Sequence, residues 1–127
     1  MGVLSIKTNK RVEIVDITGL VERNLEKNCN LALIYSPHTT TAIIINEAES
    51  GLLGDILHLM EKLVPYGKGY SHDRIDSNAD AHLKASILGN AAVVPVENGK
   101  LMLGTWQRIL FIEFDGPRTR KVIVKAV

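Results

Sequence analysis

Apolar and polar residues alternate in two short segments near the start of the chain, residues 4–6 and 12–14. A period of two residues is typical of a strand with one buried face. The polar pair Asn9-Lys10 lies between the two segments. The pattern therefore predicts a first β-hairpin that turns at this pair.

Three later segments have helical character. Thr18 is predicted to cap a short first helix. Apolar residues at helical spacing predict a second helix over residues 52–64, which stops at a proline. A third helix is predicted to begin at Ser77, with Asp80 as its capping-box partner, and to end at Gly89.

Short apolar runs predict six further strands. Asn98-Gly99, the strongest short hairpin signal, separates two of them. Strands and helices do not alternate regularly, so the order favours an α+β fold with about three helices and mostly antiparallel strands. A chain of 127 residues suffices for one domain, and residues 1–127 are expected to form one. The six runs are residues 31–35, 42–45, 93–96, 101–103, 109–114 and 121–127.

Composition narrows the class of protein. The formal net charge is +1, so we expect no basic surface for nucleic acid or for an anionic membrane. No apolar run approaches the roughly 20 residues needed to span a bilayer. The first residues lack the pattern of an export signal, which makes the cytoplasm the expected location. Cys29, the single cysteine, is interpreted as a packing residue because it has no partner for an intramolecular disulfide.

A first cluster of polar residues follows two of the predicted strands. His38 lies just after the strand 31–35, and Glu47 lies just after the strand 42–45. If these strands pair, both side chains can reach one pocket. The alternative is structural, with His38 in a turn and Glu47 at the start of a helix, where a carboxylate complements the helix dipole.

A second cluster contains His72, Asn78 and His82. Asn78 and His82 are four residues apart on the predicted third helix, so they share a face, and His72 lies in the loop before it. This spacing is compatible with metal ligation but matches no standard zinc motif. The alternative is a capping asparagine and a hydrogen-bonded surface histidine. His58, by contrast, falls on the polar side of the second helix and is expected to be exposed.

A third cluster contains Gln107, Glu113, Arg118 and Arg120. Glu113 ends an apolar strand beside the turn Asp-Gly-Pro. Arg118 and Arg120 share strand parity and could clamp a phosphate or a carboxylate. Equally, Glu113 and Arg120 could form a structural ion pair, and spacing alone leaves both interpretations open. The chain has no glycine-rich phosphate loop, so phosphate binding would depend on separate Arg, Lys and metal contacts.

Taken together and in their order, these polar segments resemble the YjbQ-like family, also described as secondary thiamine-phosphate synthases. The resemblance implies an α+β fold with two packed sheets, and a homotrimer. It also implies the joining of a pyrimidine pyrophosphate to a thiazole phosphate with release of pyrophosphate. The matching segments are His38-Thr39-Thr40, Asn46-Glu47, His72, Asn78-Ala79-Asp80-Ala81-His82, Gly104-Thr105-Trp106-Gln107 and Glu113-Phe114-Asp115-Gly116-Pro117-Arg118.

The same resemblance implies roles for nine residues. Neutral imidazole favours zinc or a similar transition ion, whereas pyrophosphate chemistry usually uses magnesium. The implied metal ligands are His38, His72 and His82. The implied catalytic residues are Glu47 as acid/base or further ligand, with Gln107 and Glu113 in support. The implied substrate contacts are Asn78, Arg118 and Arg120.

Three functions are compatible with these observations. The leading hypothesis is a metal-assisted enzyme that acts on a small phosphorylated or heterocyclic metabolite, with thiamine-phosphate synthase, a transferase, as the named case. The alternative is a non-catalytic homotrimer that binds a small ligand in a polar pocket. The third is a metal-dependent hydrolase in which Glu47 activates a bound water. In each case the expected partner is a small molecule rather than nucleic acid or a membrane.

Overall fold

The computed structural model describes residues 2–127, which form two β-sheets and three α-helices. Every strand pair among these residues is antiparallel. This confirms the predicted α+β class with two antiparallel sheets. The strands are β1 (Gly2–Lys7), β2 (Glu13–Asp16), β3 (Leu31–Tyr35), β4 (Thr41–Asn46), β5 (Ala91–Glu97), β6 (Lys100–Leu101), β7 (Arg108–Glu113) and β8 (Thr119–Ala126). The helices are α1 (Thr18–Arg23), α2 (Ser50–Leu63) and α3 (Ala79–Leu88), with a short 3₁₀ helix at Ser71–Arg74.

The two sheets and the helices pack in three layers. The five-stranded sheet has the order β1-β8-β3-β5-β6, and the three-stranded sheet has the order β2-β7-β4. One apolar core, which includes Ile34, Phe111 and Val124, lies between the sheets. A second, which includes Met60 and Phe114, lies between the three-stranded sheet and helices α2 and α3. The three-stranded sheet is therefore covered on both faces.

The predicted first hairpin is wrong. Strand β1 pairs with β8 in one sheet, while β2 pairs with β7 in the other. Thr8, just after β1, is buried, and its hydroxyl donates to Glu113 at 2.9 Å. Alternation of apolar residues sets the strand period but does not choose the partner strand, and here the chain crosses between layers after Thr8.

The predicted capping-box role of Asp80 is also wrong, as is the helix start at Ser77. Ser77 has a φ of 53°, which lies outside the helical region, and α3 begins at Ala79. The Asp80 carboxylate instead accepts from Lys84 Nζ at 2.8 Å and from Arg11 Nη2 at 3.0 Å. Burial raises the pKa of Asp80, but the hydrogen bonds from Lys84 and Arg11 outweigh burial and lower it. Asp80 is thus part of an ion-pair network beneath α3.

Thr18, predicted to cap the first helix, instead is its first residue. The carboxylate of Asp16 accepts hydrogen bonds from the backbone N–H of Thr18 at 3.0 Å and from its hydroxyl at 2.7 Å. The predicted hairpin at Asn98-Gly99 is confirmed, with positive φ angles of 53° and 74°. His58 is exposed, as predicted. No helix within residues 2–127 is long and apolar enough to cross a membrane.

Candidate functional site

A polar cleft opens at the end of the three-stranded sheet where β4 begins. The loop from β3 to β4 forms one wall, the start of α3 forms another, and the turn after β7 closes the third. The cavity has a volume of about 380 Å³. A neighbouring cavity of about 550 Å³ continues from it along α3 and shares three of its wall residues. The cleft walls include His38, Thr39, Asp76, Asn78, His82, Asp115, Arg118 and Arg120.

His38 contributes a hydrogen-bond donor to this cleft. Its Nε2 accepts the backbone N–H of Lys121 at 2.9 Å. Burial lowers the pKa of His38, and the positive charge of Arg120 lowers it further. The ring is therefore neutral at pH 7, and its one proton lies on Nδ1 because Nε2 is the acceptor. The β3–β4 loop thus holds His38 with Nδ1 as its available nitrogen.

His72 and His82 lie side by side. Their ring centroids are 4.7 Å apart and the rings are nearly perpendicular, at 82°. Nε2 of His72 is buried and has no hydrogen-bond partner. His82 also lines a further cavity of about 430 Å³, whose walls include Tyr70 and Leu83. The structure therefore brings together two of the three predicted metal ligands at the junction of the cavities.

These nitrogens fit a metal ion in part. His72 and His82 suit a transition ion, since both are imidazoles and one buried nitrogen lacks a partner. His38 faces the same cleft as His82, but its Nε2 is already bonded to the backbone. Within residues 2–127 no three His, Cys, Asp or Glu side chains are spaced to hold a metal. The three-histidine ligand set stays a prediction.

Asn78, Asp115 and Arg118 form a connected group on the opposite wall. Asn78 Nδ2 donates to Asp115 Oδ2 at 2.8 Å, and Arg118 Nη2 donates to the same oxygen at 3.1 Å. Arg118 Nε also donates to the backbone oxygen of Asp115 at 2.8 Å. Asn78 is only 9% exposed, yet its Oδ1 has no partner. The contact with Asp115 therefore fixes the orientation of the Asn78 amide and leaves its Oδ1 without a donor.

Glu113 and Arg120 form a buried ion pair, which is one of the two arrangements that spacing had left open. Arg120 Nε donates to Glu113 Oε1 at 2.8 Å, and its Nη2 contacts the other carboxylate oxygen and Thr40. Glu113 is fully buried and Arg120 is 5% exposed. Thr8 and the backbone N–H of Asp115 donate to the same carboxylate. Glu113 thus fixes Arg120 in the cleft wall.

The charged side chains that line the cleft are balanced. Arg118 and Arg120 line it together with Asp76 and Asp115, and Glu113 is paired directly behind Arg120. Two arginines and two carboxylates thus line the cleft, and Glu113 compensates Arg120 from behind. Both arginines are already paired, so the protein side chains alone provide little attraction for an anion.

Glu47 and Gln107 lie at the other end of the three-stranded sheet. Strands β4 and β7 pair with Thr41 opposite Glu113 and Asn46 opposite Arg108. Six residues of strand separate these ends by about 17 Å. Gln107 is exposed and accepts from the backbone N–H of Gly104 at 2.8 Å. The structure therefore does not bring Glu47 or Gln107 to the histidine cleft of the same chain.

Sequence reasoning did not assign Thr39, Asp76 or Asp115 to the site, although all three line the cleft. The sequence could have indicated Asp115 as a site residue, because it lies in the turn that follows Glu113. No sequence feature marked Asp76 as a site residue, since a lone aspartate in a polar loop is common. Strand β3 does not pair with β4, so the assumption that placed Glu47 beside His38 does not hold.

Comparison with known proteins gives one family. The model of the family described as UPF0047 protein YjbQ-like matches residues 2–127. A UPF0047 protein from Archaeoglobus fulgidus is 73% identical over 124 residues, which is 98% of each chain. UPF0047 protein YugU from Bacillus subtilis is 46% identical over 127 residues, covering 96% of this chain and 95% of the other.

Solved structures agree with this assignment. A hypothetical protein from Aeropyrum pernix K1 superposes with a TM-score of 0.94 at 43% identity, covering 99% of this chain and 96% of the other. A YbjQ-like protein of unknown function from Sulfolobus solfataricus gives a TM-score of 0.94 at 41% identity, covering 98% and 94%. The cleft is thus set in a fold shared along nearly the whole chain, and the chain belongs to the YjbQ-like UPF0047 family.

Proposed function

We propose that the cleft is the site of a metal-assisted enzyme that acts on a small phosphorylated or heterocyclic metabolite. The observation that carries this proposal is the state of the two arginines. Arg118 is bonded to Asp115, and Arg120 is bonded to Glu113, so neither offers an uncompensated charge. A phosphate would therefore meet no unpaired positive charge in the cleft, and an added cation would supply one.

His72 and His82 are the residues that would hold this cation. One nitrogen of His72 is buried and unpartnered, and His82 lies against it at the edge of the cleft. A bound zinc or similar ion supplies positive charge that polarises a phosphoryl oxygen. We expect zinc from the imidazole ligands, and magnesium if the chemistry releases pyrophosphate.

The remaining cleft residues bind and orient the ligand. Nδ1–H of His38 donates to an anionic oxygen, because its neutral ring has the proton on that side. Nitrogens of Arg118 that Asp115 does not occupy face the cleft from an exposed side chain. Thr39 adds a hydroxyl that can donate or accept. Such a set suits a small phosphate ester better than a bulky polymer.

Thiamine-phosphate synthesis is the named reaction within this proposal. It is a transferase reaction in which pyrophosphate departs, and its developing charge needs a cation close by. The transferase activity is tested by supplying the pyrimidine pyrophosphate and the thiazole phosphate with zinc or with magnesium. Turnover that is lost in His82→Ala would support it.

The decisive experiment measures metal content and phosphate binding together. We expect about one zinc per chain in the untagged protein, loss of zinc in His82→Ala, and retention in the matched control His58→Ala, since His58 is exposed on α2. Inorganic phosphate should bind only to the zinc-loaded protein. Equal phosphate binding with and without metal, or full zinc content in His82→Ala, would contradict the proposal.

A second candidate function is a non-catalytic trimeric protein that binds a small ligand. The position of Glu47 and Gln107 favours it, since these predicted catalytic residues lie away from the cleft within one chain. It predicts that a ligand raises the melting temperature without being consumed. Light scattering would measure the proposed homotrimer, and cell fractionation the proposed cytoplasmic location.

A further inference from the structure

One part of the cleft is rich in hydrogen-bond acceptors. Asn78 Nδ2 is bonded to Asp115 Oδ2, which fixes the amide so that the unpaired atom is Oδ1. Asn78 is 9% exposed and its Oδ1 is buried, so solvent has little access to this oxygen. A buried acceptor without a donor is unfavourable, and a bound molecule that carries a donor would satisfy it.

Two carboxylates extend this acceptor region. Asp76 lines the cleft near Asn78, and no residue within 2–127 donates a hydrogen bond to its carboxylate. Asp115 uses Oδ2 for both Asn78 and Arg118, which leaves its Oδ1 without a donor in the same part of the chain. Three acceptor groups thus face one region, and two of them are charged.

We propose that Asp76, Asn78 and Asp115 bind a positively charged amino group of the substrate. This inference rests on the proposed function and specifies its substrate class, a phosphate ester that carries an ammonium or a similar N–H cation. A charged N–H donor fits better than a hydroxyl for two reasons. Two of the three acceptors, Asp76 and Asp115, are carboxylates that form charge-assisted hydrogen bonds with a cation, and a group with several N–H bonds can serve more than one acceptor at once.

The polarity of the cleft supports a ligand with two unlike ends. Donors lie on the β3–β4 side, where His38 Nδ1–H and the Thr39 hydroxyl face the cavity. Acceptors lie on the opposite side, where Asp76 and Asn78 precede α3 and Asp115 lies in the turn after β7. A zwitterionic ligand can satisfy both sides at once, whereas a plain phosphate leaves Asn78 Oδ1 unpaired.

The test compares two ligands that differ in one group, ethyl phosphate and O-phosphoethanolamine. Binding of each to the zinc-loaded full chain is measured by calorimetry at pH 7, where the amine is charged. Charged hydrogen bonds predict that O-phosphoethanolamine binds about tenfold more tightly or better. Asp76→Asn should remove most of this preference, because it should weaken the binding of O-phosphoethanolamine relative to that of ethyl phosphate. The matched control Asp55→Asn, an exposed aspartate on α2, should keep it.

Asp76 is exposed, so its replacement does not threaten folding. Asn78→Ala, a more disruptive change, should also lose the preference if its melting curve remains cooperative. Equal affinity for the two ligands in wild type would overturn this inference and leave the anion site standing. A preference that persists in Asp76→Asn would also overturn it. Failure of both ligands to bind with zinc present would refute the proposed function and this inference together.

Discussion

The buried pair of Glu113 and Arg120 makes a sharp prediction about stability. Glu113→Gln replaces a carboxylate oxygen by an NH₂ group, while the carboxylate accepts hydrogen bonds from four donors. Those donors are the Thr8 hydroxyl, the Asp115 backbone N–H, and Nε and Nη2 of Arg120. At least one donor would then face another donor. The guanidinium of Arg120, 5% exposed, would lose its counter-charge.

The expected cost follows from the burial of both partners. Removing one member of a buried ion pair costs about 3–5 kcal/mol, because the remaining charge stays desolvated. That is a large part of the roughly 5–15 kcal/mol by which a domain is stable. In a chain of this length it corresponds to a fall in melting temperature of roughly 10–20 °C.

Denaturant unfolding followed by circular dichroism measures this cost. Glu97→Gln is the matched control, because Glu97 is exposed on β5, and we expect a change within about 0.5 kcal/mol. The double variant Glu113→Leu with Arg120→Met removes both charges and should recover part of the loss. A Glu113→Gln protein within about 1 kcal/mol of wild type would refute the reasoning, since the pair would then contribute no more than an exposed one.

Three further predictions concern packing and pH. Gly116→Ala should destabilise the protein by about 2 kcal/mol or more in denaturant melts, because a Cβ there would lie 2.5 Å from the carbonyl oxygen of Lys10. Gly54→Ala is the control: no atom lies within 4 Å of its Cβ, so this change should stabilise the helix slightly. Because the pKa of Asp80 is lowered in the folded state, its ionised carboxylate stabilises the fold above the unfolded pKa of 3.8, and this contribution is lost as pH falls through the folded pKa. Asp80→Asn should therefore reduce the loss of unfolding free energy at acid pH. The lowered pKa of His38 means that protonation near pH 6.5 favours the unfolded chain, so wild type should lose stability between pH 7 and pH 5 and His38→Gln should lose less.

Much of the local structure could be predicted because it depends on neighbours in sequence. The helical spacing of residues 52–64 predicted α2, and Asn98-Gly99 predicted the hairpin between β5 and β6. The predicted hairpin of β1 and β2 was wrong because strand pairing depends on residues that are distant in sequence. Sheet membership depends on which strand offers a matching partner, and for β1 that partner is β8, more than a hundred residues later.

The candidate site shows the same division. His72 and His82 come together because the 3₁₀ helix leads directly into α3, a local arrangement that sequence spacing captures. The pairing of Glu113 with Arg120 was one of two open alternatives, because parity along a strand does not say which side chain is buried. Asp80 was assigned to a cap because the sequence could not show that Lys84 and Arg11 converge on it.

The position of Glu47 bears on what kind of chemistry the cleft can perform. A hydrolase in which Glu47 activates water needs this carboxylate within hydrogen-bond reach of the reacting atom. Strand β4 instead places Glu47 and the histidine cleft at opposite ends, about 17 Å apart by strand geometry. The titratable groups that line the cleft within one chain include His38, His82 and Asp76 instead. This arrangement favours binding and polarisation of a charged ligand over activation of water by Glu47.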